Sequence, residues 1–176
     1  MHGDHIPSAR AGFSVCELGG SLWLYGGEDA NRDVVDELWV LHMASLTWSV
    51  PPMSTSRISM QRSAPALAYH TATALDNRFL VVFGGMDADG DCSAVLYFLD
   101  SKTQQWIAPT VMGEAPAVRA GHAAALLGNR WLLAGGSHVT TSLCLNLATL
   151  EAGFVRWEAP VRAHAIAPVC ERAMLK

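Results

Sequence analysis

Three histidines stand at corresponding points of a pattern that returns along the chain: His70, His122 and His164. Imidazole is a frequent metal ligand in proteins, so this spacing suggests a ring of metal ligands. A scaffold role is the favoured interpretation, because a repeat reproduces its structural residues and buried polar groups need hydrogen-bond partners. We therefore expect these histidines at the start of an innermost strand, bonded to neighbouring backbone.

Arginines recur in the same way at Arg10, Arg119 and Arg162. The same structural interpretation covers them. An arginine at the surface can also clamp a partner's carboxylate group in bidentate fashion. These three residues are therefore candidates for partner binding as well as for scaffolding.

Two acidic stretches follow equivalent points of the pattern, Glu28–Asp33 and Asp87–Asp91. The second resembles the start of a calcium loop, but Phe98 takes its twelfth position, where an EF-hand needs a bidentate glutamate. Both are interpreted as surface turns that form a negative rim and steer a basic partner segment. The candidate partner-binding residues are Arg10, Glu28, Asp29, Arg32, Asp33, Asp87, Asp89, Asp91, Arg119, His138 and Arg162.

Motifs of catalysis and cofactor binding are missing from the sequence. It has no G-x-S-x-G elbow, no H-E-x-x-H helix and no G-K-[ST] after a glycine pair. Its four cysteines form no C-x-x-C pair, so we expect reduced, mostly buried thiols rather than a zinc site. We predict no enzyme activity, no metal and no cofactor.

Composition narrows the class of protein further. Apolar residues make up 51% and charged residues 16%, so the chain should pack a core. No apolar stretch is long enough for a membrane-spanning helix, and no signal-like segment opens the chain, so we expect a cytoplasmic protein. A net charge of −4 without a Lys or Arg cluster disfavours nucleic acid and membrane partners.

These residues sit within an internal repeat. Three double glycines, Gly26-Gly27, Gly84-Gly85 and Gly135-Gly136, each follow four apolar residues, and each is followed by a tryptophan 21 positions after its second glycine. Arg10 and Arg119 stand 16 positions before the first glycine of their pairs. In the middle copy Tyr69-His70 takes this place, and one extra residue in the turn Asp76–Arg78 shifts the alignment.

Each unit holds four short runs rich in Val, Leu, Trp, Tyr and Phe between Gly, Asn or Asp turns, which predicts four β-strands. The units span about 10–50, 66–108 and 119–158, after an N-terminal extension at 1–9. In the third unit the strands are predicted at 121–127, 131–134, 142–147 and 154–158. Trp48, Trp106 and Trp157 are interpreted as packing between units rather than as a ligand platform.

A four-strand unit of about 50 residues with these markers resembles the kelch repeat. The resemblance runs from Arg10 to Trp157 and includes an aromatic residue nine positions before the tryptophan, as in Trp39 and Trp48. The third unit departs from the pattern there, with Ala148. The resemblance implies an all-β fold of about three propeller blades, each a four-stranded antiparallel sheet, in an incomplete ring.

Closed propellers have about four to eight blades, so the outer faces of this array need a cover. Residues 159–176 are interpreted as the start of a truncated fourth repeat or a C-terminal tail. A homodimer, a partner chain supplying blades, or truncation of a longer protein would each explain the incomplete ring. The sequence favours truncation or a partner.

The kelch resemblance implies a protein-interaction module of the adaptor or scaffold type. Its candidate binding loops follow each double glycine or join successive blades: 28–36, 86–93, 137–141, 51–65 and 107–118. A structural subunit of a larger assembly is one alternative. Another is an enzyme related to the copper-dependent sugar oxidase or the sialic-acid epimerases, although three tyrosines leave little from which to build the copper site.

Overall fold

The computed structural model describes residues 6–52, 65–113, 116–137, 142–146 and 151–155. Within these ranges the chain is built from strands, and none of their segments is a helix suited in length and hydropathy to crossing a membrane. The strands are β1 (Arg10–Ala11), β2 (Ser14–Leu18), β3 (Ser21–Tyr25), β4 (Glu28–Asp29), β5 (Leu38–His42), β6 (Thr47–Ser49), β7 (Thr71–Leu75), β8 (Phe79–Phe83), β9 (Leu96–Asp100), β10 (Gln105–Ile107), β11 (Met112–Gly113), β12 (Ala123–Leu127), β13 (Arg130–Ala134), β14 (Ser142–Asn146) and β15 (Glu151–Val155).

These strands form three blades in sequence order. Blade 1 is the antiparallel sheet β2-β3-β5-β6, blade 2 is β7-β8-β9-β10, and blade 3 is β12-β13-β14-β15. The short strand β11 joins blade 3 on the outside, parallel to β15. The predicted all-β fold of four-stranded antiparallel blades is confirmed.

The turn between the two inner strands differs in blade 2. Gly19 and Gly20 connect β2 to β3 with φ of 64° and 74°, whereas three residues, Asp76–Arg78, connect β7 to β8. The extra residue predicted for the middle copy is therefore present. Arg78 donates two hydrogen bonds to the buried carboxylate of Asp100 at the end of β9, which ties the longer turn to the blade.

The outer strand of blade 3 lies earlier than its tryptophan spacing predicted. The sequence placed this strand at 154–158, but β15 spans Glu151–Val155. Its register is set by pairing with β14, where Leu145 faces Ala152, and by the added strand β11. A fixed distance from a double glycine could not reveal this, because neighbouring strands decide the register.

Alternation along each strand gives every blade two apolar faces. One buried cluster joins blade 1 to blade 2 and contains Tyr25, Val40, Leu80, Leu99 and Trp106. A second joins blade 2 to blade 3 around Phe83, Leu96, Trp131 and Leu133. The core therefore lies between the blades, so each blade is stabilised mainly by its neighbours.

The tryptophans confirm this arrangement in part. Trp106 is buried and lies with its ring centroid 4.9 Å from that of Tyr25 in the preceding blade. Trp48 of blade 1 is half-buried. Trp157 lies outside the described residues. The described cysteines Cys16, Cys92 and Cys144 are unpaired and half-buried, less buried than the sequence suggested.

The double glycines are required where one blade meets the next. The second glycine's N–H donates to a carbonyl at the opening of the next repeat, from Gly27 to Leu67 at 2.9 Å and from Gly85 to Arg119 at 2.8 Å. A Cβ on Gly84 would stand 2.6 Å from that Arg119 oxygen. Neighbouring blades thus approach too closely for a side chain at this position.

Substituting Gly84 by alanine should separate blades 2 and 3. The backbone is left-handed at both Gly84 and Gly20, with φ of +66° and +74°. Alanine at either position should therefore lower the free energy of unfolding by about 1–2 kcal/mol. Only Gly84→Ala adds the clash with Arg119 and His122, at about 1–3 kcal/mol more. The free energy of unfolding measured in urea should be clearly lower for Gly84→Ala than for Gly20→Ala, because a Cβ at position 20 meets only open space. Equal losses would contradict the proposed contact.

Candidate protein-interaction surface

One end of the blades gathers the acidic loops and the repeat openings. In blades 1 and 2 the second strand runs up to the double glycine, and the loop beyond it leads back into the third strand. The opening of each innermost strand lies at the same end, where β1 pairs with β4. The predicted rim on one face is therefore present in blades 1 and 2, where both loops are described.

The two acidic loops have the same internal construction. Asp29 Oδ1 accepts the backbone N–H groups of Asn31 and Asp33 at 2.8 and 3.0 Å. Asp87 Oδ1 accepts those of Asp89 and Asp91 at 3.0 and 2.9 Å. Asp87, the first carboxylate of the stretch that resembles a calcium loop, thus shapes its turn, as Asp29 shapes the other. In both loops the residue before the last aspartate is left-handed, Arg32 with φ of 70° and Gly90 with 86°.

This loop pair concentrates negative charge. Residues 28–37 and 86–95 contain eight acidic side chains and one basic side chain, a net charge of −7, whereas the whole chain carries −4. Asp33, Asp89 and Asp91 are exposed, and Glu28, Asp29 and Asp87 are half-buried. The rest of the chain is therefore net positive, and the rim is its negative pole.

Tyr69 links the rim to the junction of blades 1 and 2. Its hydroxyl donates to Glu28 Oε2 at 2.9 Å, a bond that raises the pKa of Tyr69, and its side chain is 38% exposed. Its φ is 58°, at the position where Gly12 and Gly121 stand in the flanking repeats. The sequence named Tyr69 only as a marker of the middle repeat. The sequence does contain a sign of this role: Tyr69 is a bulky residue at a position that the flanking repeats fill with glycine.

The repeated arginines are engaged inside their own blades. The Arg10 side chain is 2% exposed; its Nη2 donates to Glu37 Oε2 at 2.5 Å and its Nη1 to the Gly26 carbonyl at 3.2 Å. Arg119 is fully buried and donates to the Gly135 carbonyl at 3.4 Å. The constant distance from arginine to glycine pair thus reflects a bond within each blade. Neither guanidinium faces solvent as the acidic loops do.

The two repeated histidines that the structure describes, His70 and His122, lie between blades. His70 Nε2 shares a 2.7 Å hydrogen bond with Ser14 Oγ of blade 1, and His122 Nε2 a 2.8 Å bond with Thr71 Oγ1 of blade 2. Their partners are side-chain hydroxyl groups of the preceding blade, where the sequence predicted neighbouring backbone; His70 has a backbone bond with Leu67 as well. Each ring also meets an aromatic residue of that blade, Tyr25 or Phe83.

Burial governs the protonation of both histidines. It lowers the pKa of His70 to about 4, against a smaller opposing effect of the Leu67 carbonyl. It lowers the pKa of His122 to about 3, and the positive charge of Arg119 adds to this effect. Both imidazoles are therefore neutral near pH 7. Within the described part of the chain no three His, Cys, Asp or Glu side chains gather as metal ligands would.

Two of the predicted binding residues, His138 and Arg162, lie outside the described residues, as does His164. The structure brings together Glu28, Asp29, Arg32 and Asp33 in one loop and Asp87, Asp89 and Asp91 in the next. Whether these residues bind a partner stays a prediction.

The buried histidines should make the protein sensitive to mild acid. A histidine whose pKa is depressed by folding stabilises the native state above its unfolded pKa of about 6.5, and that stability is lost as pH falls towards 4 and 3. Each histidine can add up to about 1.4 kcal/mol per pH unit to the slope. His70→Gln and His122→Gln should each make the free energy of unfolding, measured in urea, depend less steeply on pH between 6.5 and 4.5. In this range most carboxylates are still ionised, so the histidines dominate the slope.

The control is His42→Gln, which alters an exposed imidazole in β5. Unchanged slopes in both interior variants would show that neither histidine is buried between blades as described.

Residues 1–151 match the family model described as the KLHDC2/KLHL20/DRC7 Kelch-repeats domain. Acyl-CoA-binding domain-containing protein 4 of Arabidopsis thaliana is 36% identical over 149 residues, 82% of this chain and 21% of the relative. Acyl-CoA-binding domain-containing protein 5 of the same plant is 34% identical over 149 residues, 82% of this chain and 22% of that protein.

Adagio-like protein 3 of Oryza sativa subsp. japonica is 32% identical over 139 residues, 76% of this chain and 21% of the relative. The chain thus spans about a fifth of the length of each of these relatives. The family match covers all three blades up to the start of β15, together with the glycine pairs and repeat openings that join them. On sequence and architecture alike, this chain belongs to the kelch-repeat family.

Proposed function

We propose that this chain is a protein-interaction module whose acidic rim, residues 28–37 and 86–95, binds a basic segment of a protein partner. One observation carries the proposal: two successive blades present the same aspartate-shaped loop on one face, with a joint net charge of −7. Loops on a rigid scaffold are common recognition sites, and a concentrated negative potential steers positively charged partners.

The loops divide their carboxylates between two tasks. The carboxylates of Asp29 and Asp87 accept hydrogen bonds from backbone N–H groups and fix the loop shape. Asp33, Asp89 and Asp91 are exposed, so their carboxylates can contact lysine or arginine side chains without first leaving an internal bond. The arrangement favours an extended basic segment lying across both loops.

Membership of the kelch-repeat family supports an interaction module, since kelch repeats generally serve in this way. We propose a binding role of the adaptor or scaffold type rather than catalysis. The same proposal includes a cytoplasmic location, with which the free thiols of Cys16, Cys92 and Cys144 agree because disulfides are rare there.

A labelled peptide of alternating Lys and Ser, compared with one carrying Glu in place of Lys, tests the rim. Fluorescence anisotropy should show binding of the Lys peptide alone, strongest at low salt because exposed charges are screened. Asp89→Asn and Asp91→Asn should each weaken binding about two- to fivefold at low salt, a range set by exposed charge pairs.

The matched control is Asp76→Asn, which removes an exposed carboxylate from the turn at the opposite end of blade 2. It should leave the affinity unchanged. Equal binding of the Lys and Glu peptides, or an equal loss in the control, would reject the acidic rim as the binding surface.

A further inference from the structure

The innermost strands meet their neighbours through two positions that recur in every blade. The first faces the next blade and is held by Ser14, Thr71 and Ala123, the first residues of β2, β7 and β12. The second precedes each of these residues and faces the preceding blade; it is held by Phe13, His70 and His122. Inside the chain, histidine pairs with hydroxyl at both junctions.

Two members of this set have no such partner within the described residues. Phe13 has replaced the histidine on the outer face of blade 1, and Ala123 has replaced the hydroxyl residue on the outer face of blade 3. These two residues match each other, because neither leaves a polar atom to be satisfied in a buried contact. A histidine packed on Ala123 would lack the hydroxyl partner that Ser14 and Thr71 supply.

The outer faces also carry opposite charges at corresponding positions. Glu17 points from β2 to the same side as Phe13 and Val15, where blades 2 and 3 have Ala74 and Leu126. Arg130 of β13 stands where blades 1 and 2 have Ser21 and Phe79. Both charged side chains are exposed.

The inner junctions show how these positions meet. Ala74 packs in the cluster that contains Leu18, the strand partner of Ser21, and Leu126 packs in the cluster between blades 2 and 3. By the same geometry, Glu17 of one chain would lie beside Arg130 of another. At this level the inner junctions place Ser21 against Ala74 and Phe79 against Leu126, without charge, whereas the two outer faces carry opposite charges.

The outer faces of blades 1 and 3 also expose apolar side chains that are buried at the inner junctions. Leu18 is 2% exposed beneath blade 2, whereas its counterpart in blade 3, Leu127, is 61% exposed. Phe13 is 42% exposed, whereas its counterparts His70 and His122 are buried. Apolar surface of this kind, next to a junction already built twice in the chain, suits a further blade.

We propose that the occupant is a second copy of this chain, bound head to tail, so that blade 3 of each copy packs on blade 1 of the other. Two such contacts join six blades, within the usual range of about four to eight for a closed ring. A head-to-tail contact that closes gives a defined dimer, whereas one that does not close gives filaments. The proposal concerns assembly and does not depend on the acidic rim.

A charge swap tests the contact on the full chain. Light scattering and sedimentation should give a dimer of the 18.9 kDa chain. Glu17→Arg and Arg130→Glu should each raise the dissociation constant about tenfold or more, because each change places like charges at both junctions. The double variant should return to within about threefold of the original, since the pair is restored in reverse.

A second pair tests the apolar match. Phe13→His alone should weaken the dimer, and Ala123→Ser added to it should recover part of the loss by rebuilding the inner junction. The controls are Lys102→Glu, an exposed charge of blade 2, and Ile107→Ser, an exposed apolar residue of β10. Far-ultraviolet dichroism checks that each variant keeps its β structure.

A folded monomer at every concentration, open-ended oligomers, or a dimer whose charge-swapped double variant is no better than the single variants would overturn the proposal. Peptide binding at Asp89 and Asp91 is measured separately, so failure of the dimer and failure of the acidic rim are distinguishable.

Discussion

The close contact between the glycine pair of one blade and the opening of the next is the constraint on which the other features depend. The N–H groups of Gly27 and Gly85 donate to carbonyl groups of the following repeat, and the first glycines leave space for the histidine rings. Because the blades bury their apolar side chains against one another, this backbone contact sets how closely two sheets approach. A side chain at Gly84 would force the sheets apart and expose the clusters that stabilise them.

The repeated polar residues and the variable ones therefore serve different ends. Histidine, hydroxyl and arginine recur at fixed positions because each bonds a group that the blade geometry places there, such as Ser14 Oγ or the Gly26 carbonyl. These bonds are internal and leave little for a partner. The acidic loops lie beyond the junction. Asp29 and Asp87 fix the loop shape there, and Asp33, Asp89 and Asp91 stay exposed to solvent.

Sequence spacing was enough to predict the blades, their order and the extra residue at Asp76–Arg78, because glycine pairs and alternating apolar residues are local signals of strand and turn. It failed for β15, whose register depends on pairing with β14 and β11 rather than on distance from Gly136. It also did not reveal the hydroxyl groups that bond the histidines. Nothing in the sequence distinguishes Ser14 and Thr71 from other hydroxyl residues, because their histidine partners belong to the next blade. The shared shape of the acidic loops was visible as composition, but the carboxylate bonds were not.

Tyr69 shows how the middle repeat joins these two regions. Its N–H donates to the Gly12 carbonyl and its own carbonyl accepts from Gly121, so backbone bonds on both sides hold it in a left-handed conformation. That conformation costs a non-glycine residue about 1–3 kcal/mol. The hydroxyl bond to Glu28 and the packing of the ring over Gly12 offset part of this cost. The Tyr69 side chain therefore connects Glu28 of the acidic rim with the backbone contact between blades 1 and 2.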